Sequence, residues 1–297
     1  MTGILLLDKP EGTTSAGAIR ALKPRLGPTK VGHLGTLDPF ASGLLPLCLG
    51  EATKVARYLL VERKAYAGTI RLGVATDTLD RTGSETMTAA VPALTPNAVE
   101  AAARRFIGRQ TQVPPMYSAL KRDGVPLYQL ARRGIEVDRA AREIEIFRLD
   151  LVLQPPDRLD FTLECSKGTY VRVLAADIGQ TLGTVAHLER LRRTEVGAFR
   201  VDDAIALDAL VALDPGAPLP LIPVRQALAE YTAFTAPVAD ALARLRRGQQ
   251  DPLARLPAPS RTGETALVLD AAGEVAAVIE AAGAHPAWRL VRLLAVS

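Results

Sequence analysis

Apolar runs of strand length recur through this chain, and the helical patterns between them do not alternate with them one for one. GILLLD at 3–8 reads as a short strand ended by the turn signal Lys9-Pro10-Glu11-Gly12. Thr14 or Ser15 can cap a helix to about Leu22, and Gly27-Pro28 stops it. Residues 44–49 are apolar again, 51–60 carry a helical stripe at Val55, Tyr58 and Leu59, and 66–72 predict a strand that leads into a loop at 76–80. Thr95-Pro96 opens a helix that ends at Gly108, with Pro in the first turn where its missing N–H is not needed. Strands near 143–153 and 159–165, a helix over about 170–182 and a further strand over 186–194 follow. A strict βαβ rhythm would demand a doubly wound parallel sheet; this irregular mixture predicts an α+β fold with a mixed sheet.

At 297 residues the chain suits one large domain and a smaller one. PGAPLPLIP at 215–223 places four prolines in a short span and marks the boundary region. Beyond it a helix over 237–247, a hairpin over 265–278 around Asp270-Ala271-Ala272-Gly273 and a last strand over 289–296 predict a small, mostly β module. A content of 48% hydrophobic and 23% charged residues supports a sizeable core. No apolar stretch approaches bilayer-spanning length, and MTGILLLDKP lacks the basic start and cleavage site of a signal peptide, so a cytoplasmic protein is expected. The two cysteines, Cys48 and Cys165, sit in apolar or strand-like segments and give no disulfide framework. The histidines His33, His187 and His285 are scattered, and no CxxC, GxxxxGK[ST] or GxGxxG is present, so no metal site and no cofactor are expected.

The net charge of +4 is modest, but the cations are clustered. Arg20, Lys23, Arg25 and Lys30 occur with no acid between Glu11 and Asp38, as do Arg104, Arg105, Arg109, Lys121 and Arg122 between 104 and 122. Arg190, Arg192, Arg193 and Arg200 form a third cluster. Either these are phosphate-binding surfaces or they are solvated faces; charge alone fits both. Only seven of the 36 basic residues are lysine, at 9, 23, 30, 54, 64, 121 and 167. In a chain so biased towards Arg, each surviving Lys is a candidate for a place where a compact ammonium is needed.

Taken alone, Gly32-His33-Leu34-Gly35-Thr36-Leu37-Asp38-Pro39 is a glycine-rich loop with an ordinary Asp-Pro turn signal. Extended to GHLGTLDPFASGLLPLCLG at 32–50, it resembles the signature of the TruB family of tRNA pseudouridine synthases. The resemblance continues in Asp8-Lys9-Pro10 with Gly12, Thr14 and Ser15, in Lys64-Ala65-Tyr66, and in Thr76 to Asp80 with Gly83. It recurs in Gln112-Val113-Pro114-Pro115 with Ser118, Ala119, Lys121, Gly124 and Tyr128, in Lys167-Gly168-Thr169-Tyr170-Val171-Arg172, and in Leu191-Arg192-Arg193-Thr194 with Gly197 and Phe199. Any one block is weak; the ordered set over about the first two hundred residues is specific.

The resemblance implies a pseudouridine synthase fold, α+β with a mixed, largely antiparallel sheet flanked by helices and loops, over 1–231. It implies an RNA-gripping insertion at about 109–140 and a PUA-like RNA-binding module at 232–297. Its activity would be isomerisation of uridine 55 in the T-loop of tRNA to pseudouridine, by base flipping, as a monomer on the T-arm without guide RNA, cofactor or membrane. Asp38 matches the catalytic aspartate, suited as a carboxylate nucleophile or as a stabiliser of positive charge at the sugar carbon. Arg172 matches the arginine that keeps it ionised, and Tyr66 an active-site tyrosine that supports the uracil and helps remove the C5 proton. Tyr170 and Leu191 match residues of the uracil pocket, His33 a substrate-contacting histidine, Asp80 an acid near Arg172, and Lys9, Lys121 and Arg122 RNA contacts. Read without the resemblance, Arg172 is a solvent-facing helix residue, Tyr66 a half-buried strand tyrosine, and Tyr170 and Leu191 plain core. The competing reading from another class is a tRNA-binding folding chaperone using the same surface, against which the Asp38, Tyr66 and Arg172 set argues.

Overall fold

In the computed structural model, which describes residues 1–60, 63–214, 216–283 and 287–295, ten strands form one mixed sheet. From edge to edge run Ile205–Ala206, Gly3–Lys9, Ser42–Leu49, Ala186–Val196, Arg63–Leu72, Arg158–Ser166, Arg142–Gln154 and Gly108–Gln112. Val31–His33 pairs with Ser42–Leu49, and Phe199–Arg200 with Ala186–Val196. Two pairings are parallel, Gly3–Lys9 with Ile205–Ala206 and Ser42–Leu49 with Ala186–Val196; the rest are antiparallel. The expected α+β, largely antiparallel sheet is what the chain forms.

The parallel junction between Ser42–Leu49 and Ala186–Val196 is the narrow point of the sheet, with only Arg192↔Ser42 and Arg193↔Gly43 in register. Gly43 makes it possible: a Cβ there would stand 2.3 Å from the Arg193 carbonyl oxygen, and its φ of 103° suits only glycine. Ala186–Val196, anticipated only as a possible extra strand, is central, bulged between Leu188 and Arg190 and again between Arg193 and Glu195.

Helices flank the sheet. Ser15–Leu26 is capped by Thr14, whose hydroxyl accepts from Gly17 N at 2.8 Å, and ends at Gly27 with φ 54°. Pro96–Arg104 is capped by Thr95 as expected. Val171–Thr181 packs Val171, Leu174 and Ile178 into the core with Leu163, Leu188 and Leu191. The stripe at 51–60 is a 3-10 turn, Gly50–Lys54, and then one short helical turn, Ala56–Leu59. The expected helix at 237–247 is confined to Ala241–Arg246. Among the described residues no helix is long and apolar enough to cross a membrane.

A second sheet, Thr232–Thr235, Thr265–Leu269, Val275–Ala281 and Trp288–Leu293, closes around Trp288, Val268 and Ile279. The hairpin through Asp270–Gly273 is there; Thr232–Thr235 had no signal in the sequence, and Val296 and His285 lie outside the described residues. This module does not hang free. Leu267, Val275, Val278 and Leu294 share a core with Ile4, Leu6, Leu44 and Val55, and Arg57 pairs with Glu280 at 3.1 Å.

Candidate active site

Asp38 sits in a loop between Val31–His33 and Ser42–Leu49, without regular structure of its own but fastened on both flanks. On one side Ser15 Oγ accepts from Leu37 N at 2.9 Å and donates to Leu37 O at 3.2 Å, while Gly12 N donates to Pro39 O at 2.8 Å. Lys9 Nζ, fully buried, donates to the carbonyls of Pro10 (2.8 Å), Thr13 (2.7 Å) and Pro39 (3.5 Å). On the other side Arg193, also fully buried, donates to Leu44 O (2.8 Å), Gly35 O (3.0 Å) and Thr36 O (3.4 Å). Each cation satisfies backbone acceptors that a turn would otherwise leave bare. The loop is thus rigid on both sides of Asp38.

Arg172, 4% exposed at the start of Val171–Thr181, meets the carboxylate with two nitrogens: Nε to Oδ2 at 2.9 Å and Nη2 to Oδ1 at 3.3 Å. Its remaining donors go to Thr78 O (2.9 Å) and Tyr117 O (2.7 Å). Asp80, likewise buried, lies 3.6 Å from Arg172 Nη1 through Oδ2. Its Oδ1 accepts from Thr78 Oγ1, Thr82 N and Thr82 Oγ1, which fixes the carboxylate with Oδ2 towards the guanidinium. The sequence alone would leave Arg172 on a wet helix face; the fold buries it between two acids. Burial pushes the Asp38 carboxyl above its ordinary range, Arg172 pulls it back, and Asp80 adds to the rise.

Asp38 and Arg172 open onto a cavity of ≈ 300 Å³ whose walls include Tyr66, Tyr170 and Leu191. Tyr66 and Leu191 come from neighbouring strands, with Arg193 paired to Tyr66 and Leu191 to Gly68. Burial pushes the Tyr66 phenol up to about 12, and the Arg193 guanidinium behind it pulls the other way. Tyr170 precedes the helix that carries Arg172 and has no side-chain cap; instead Gln112 Oε1 accepts from Tyr170 N (2.7 Å) and Gln112 Nε2 donates to Tyr170 O (3.1 Å). Asp38, Arg172, Tyr66, Tyr170 and Leu191 are therefore brought together, with Asp80 behind them.

One expectation needs correction, and other residues lie away from the cavity. Lys9, expected to contact RNA, is sealed under the loop, where it spends its ammonium on carbonyls; burial lowers it to about 8. Of the third basic cluster, Arg193 is buried, Arg192 is bidentate to Asp8 (3.0 and 2.7 Å), Arg200 pairs with Glu195 at 2.7 Å and Arg190 is exposed. His33 lies outside the cavity wall, half-buried on Val31–His33, and burial, with Arg193 and Lys64 nearby, lowers it. Lys121 and Arg122 stand exposed on a small hairpin with Val125–Pro126, outside the cavity wall. The same insertion supplies Ser118, Ala119 and Leu120 to that wall, a role the charge pattern did not suggest. Lys64 also lines it, legible beforehand as one of the few lysines and as part of the Lys64-Ala65-Tyr66 block, with no role assigned.

Residues 23–171 match the TruB family pseudouridylate synthase (N terminal domain), and 172–214 match the tRNA pseudouridylate synthase B C-terminal domain. The chain belongs to the TruB family. It is 54% identical over 211 residues to the tRNA pseudouridine synthase B of Aromatoleum aromaticum, covering 71% of this chain and 68% of that one. With the tRNA pseudouridine synthase B of Bordetella avium the identity is 49% over 224 residues, covering 74% and 91%. The crystal structure of a Cbf5-Nop10-Gar1 complex superimposes with a TM-score of 0.70 at 25% identity, covering 99% of this chain and 84% of its counterpart. As a TruB-family protein the chain is an isomerase. The N-terminal TruB match holds Asp38 and Tyr66, Arg172 opens the second, and the cavity lies where the two meet.

Proposed function

We propose that this chain isomerises uridine 55 in the T-loop of tRNA to pseudouridine, acting as a cytoplasmic monomer on the T-arm without guide RNA, with Asp38 as the nucleophile. The observation that carries the reading is a carboxylate held side-on by a buried arginine, at the wall of a cavity with aromatic and aliphatic sides. The reaction breaks the bond from uracil N1 to the sugar C1′, turns the base and joins C5 to C1′; C5 loses its proton and N1 gains one, so the product is an isomer. An ionised Asp38 serves as the attacking group, and Arg172 keeps it ionised and aimed. A stacked uridine cannot reach it, so the base must be flipped out, at roughly a few kcal/mol. Tyr66, Tyr170 and Leu191 then enclose the uracil. The Tyr66 phenol is protonated at rest; to take the C5 proton it needs the Arg193 guanidinium to stabilise its phenolate.

Guide independence is supported by the insertion around Lys121 and Arg122, which gives the chain an RNA grip of its own. The PUA-like reading of 232–297 is supported by the second, mostly β sheet. The test is an unmodified tRNA transcript incubated with pure protein and mapped for pseudouridine. Wild type is expected to modify position 55 alone, with no RNA added, and Asp38→Asn to form none while binding tRNA within a few-fold of wild type. Turnover by Asp38→Asn would refute the nucleophile, and a different modified position would refute the T-loop assignment.

A further inference from the structure

One cation at the cavity has no part in the chemistry above. Lys64 and Tyr66 are two residues apart on Arg63–Leu72, so both face the cavity. Three other lysine ammonium groups have partners: Lys9 on carbonyls, Lys23 on Thr29 O at 3.1 Å, Lys54 on Glu51 at 2.7 Å. Among the described residues nothing accepts a hydrogen bond from Lys64 or forms an ion pair with it. Its charged neighbours are instead Arg193 and Lys167, both cations. Burial lowers it to about 8, with Arg193 and Lys167 acting the same way and Cys165 the other, so the site holds a cation at a cost, and among the described residues no carboxylate pairs with it.

Gly35 brings the backbone close to the ammonium. A Cβ on Gly35 would lie 3.0 Å from Lys64 Nζ and 3.5 Å from Arg193 Nη1, so glycine lets both cations approach the chain. Thr36 and Gly168, both exposed, complete this rim. Small residues, a hydroxyl and converging positive charge suit a phosphate better than a neutral uracil face.

We propose that Lys64, seated on the Gly35–Thr36 rim, binds one backbone phosphate flanking the flipped nucleotide. The inference rests on the pseudouridine synthase reading and adds to it the residue that draws the RNA strand into the cavity. The test uses the full chain and a T-arm hairpin carrying one neutral methylphosphonate, either 5′ or 3′ of the target uridine, with wild type and Lys64→Gln.

Wild type should lose about tenfold in affinity on one of the two modified hairpins, as expected for removal of one charge-assisted contact. Lys64→Gln should lose about tenfold on the unmodified hairpin, and the same methylphosphonate should then cost it less than twofold. The slope of log affinity against log salt should fall by roughly 0.7–0.9, and the kinetic loss should fall mainly on KM. A wild type indifferent to both methylphosphonates would overturn the proposal without any variant. So would a Lys64→Gln whose losses multiply with both, or one that binds as wild type does. Wild type that makes no pseudouridine in the hairpin refutes the reaction itself; wild type that turns over beside an unaffected Lys64→Gln refutes only the phosphate contact.

Discussion

Replacing Arg172 by Met should cost the protein both stability and the ionised state of Asp38. The guanidinium is 4% exposed and donates to Asp38, Thr78 O and Tyr117 O, with Asp80 3.6 Å away. Met keeps an unbranched apolar stem and removes all of these bonds, leaving two carboxylates without their shared cation and two carbonyls without donors. Breaking a buried ion pair by removing one partner costs about 3–5 kcal/mol. Because the Asp38 side chain is 36% exposed to the cavity, the lower end applies, about 3 kcal/mol. For a chain of this size that is a fall in Tm of roughly 5 °C, read by circular dichroism. Asp38→Asn should be far milder, since Arg172 keeps Asp80 and both carbonyls.

The pH profile separates stability from chemistry. Burial already raises the Asp38 carboxyl, and Arg172 is the largest influence opposing it. Turnover needs the ionised form, so the rate falls as pH drops through that raised value. Without Arg172 the value rises further and the acid limb moves to higher pH. Tritium released from a 5-tritiated uridine in the T-arm, under single turnover across a pH series, measures it. Arg172→Met with an unmoved acid limb and a Tm within about 1 °C of wild type, a margin of roughly half a kcal/mol, would refute the reasoning.

Tyr66→Phe should bind tRNA normally and lose roughly a hundredfold or more in single-turnover rate, the range of general base catalysis; a native rate would leave Tyr66 as a stacking residue only. Lys121→Ala with Arg122→Ala should weaken tRNA binding and flatten its salt dependence in filter binding, with a short T-arm hairpin affected as much as whole tRNA. Gly43→Ala should destabilise by about 2–3 kcal/mol in urea melts, because its methyl would meet the Arg193 carbonyl at 2.3 Å, and turnover should fall with the loss of the Asp38 loop's anchor.

Much of the site was legible as residue types and little as roles. Asp38, Tyr66, Arg172, Tyr170 and Leu191 are recognisable from ordered blocks of sequence, and the fold brings them to one cavity. Lys9 and Arg193 read equally well as RNA contacts because a basic side chain looks alike whether it faces phosphate or carbonyls. Only burial distinguishes the two, and here both are fully buried beneath one loop. Ser118, Ala119 and Leu120 were invisible as cavity wall because their segment has no apolar periodicity to give its direction.

What the sequence by itself determined is local. Thr14, Thr95, Gly27 and the alternation within Arg158–Ser166 set caps, stops and strands, because those preferences act over a few residues along the chain. What only the tertiary structure decided is the meeting of distant residues. Arg172 reaches Asp38 across 134 positions, and Arg193 reaches Gly35 across 158. Both contacts depend on Ala186–Val196 lying between Ser42–Leu49 and Arg63–Leu72 in one register. Strand order and register are set by the sum of many long-range pairings and by what they bury, and no local segment carries that information.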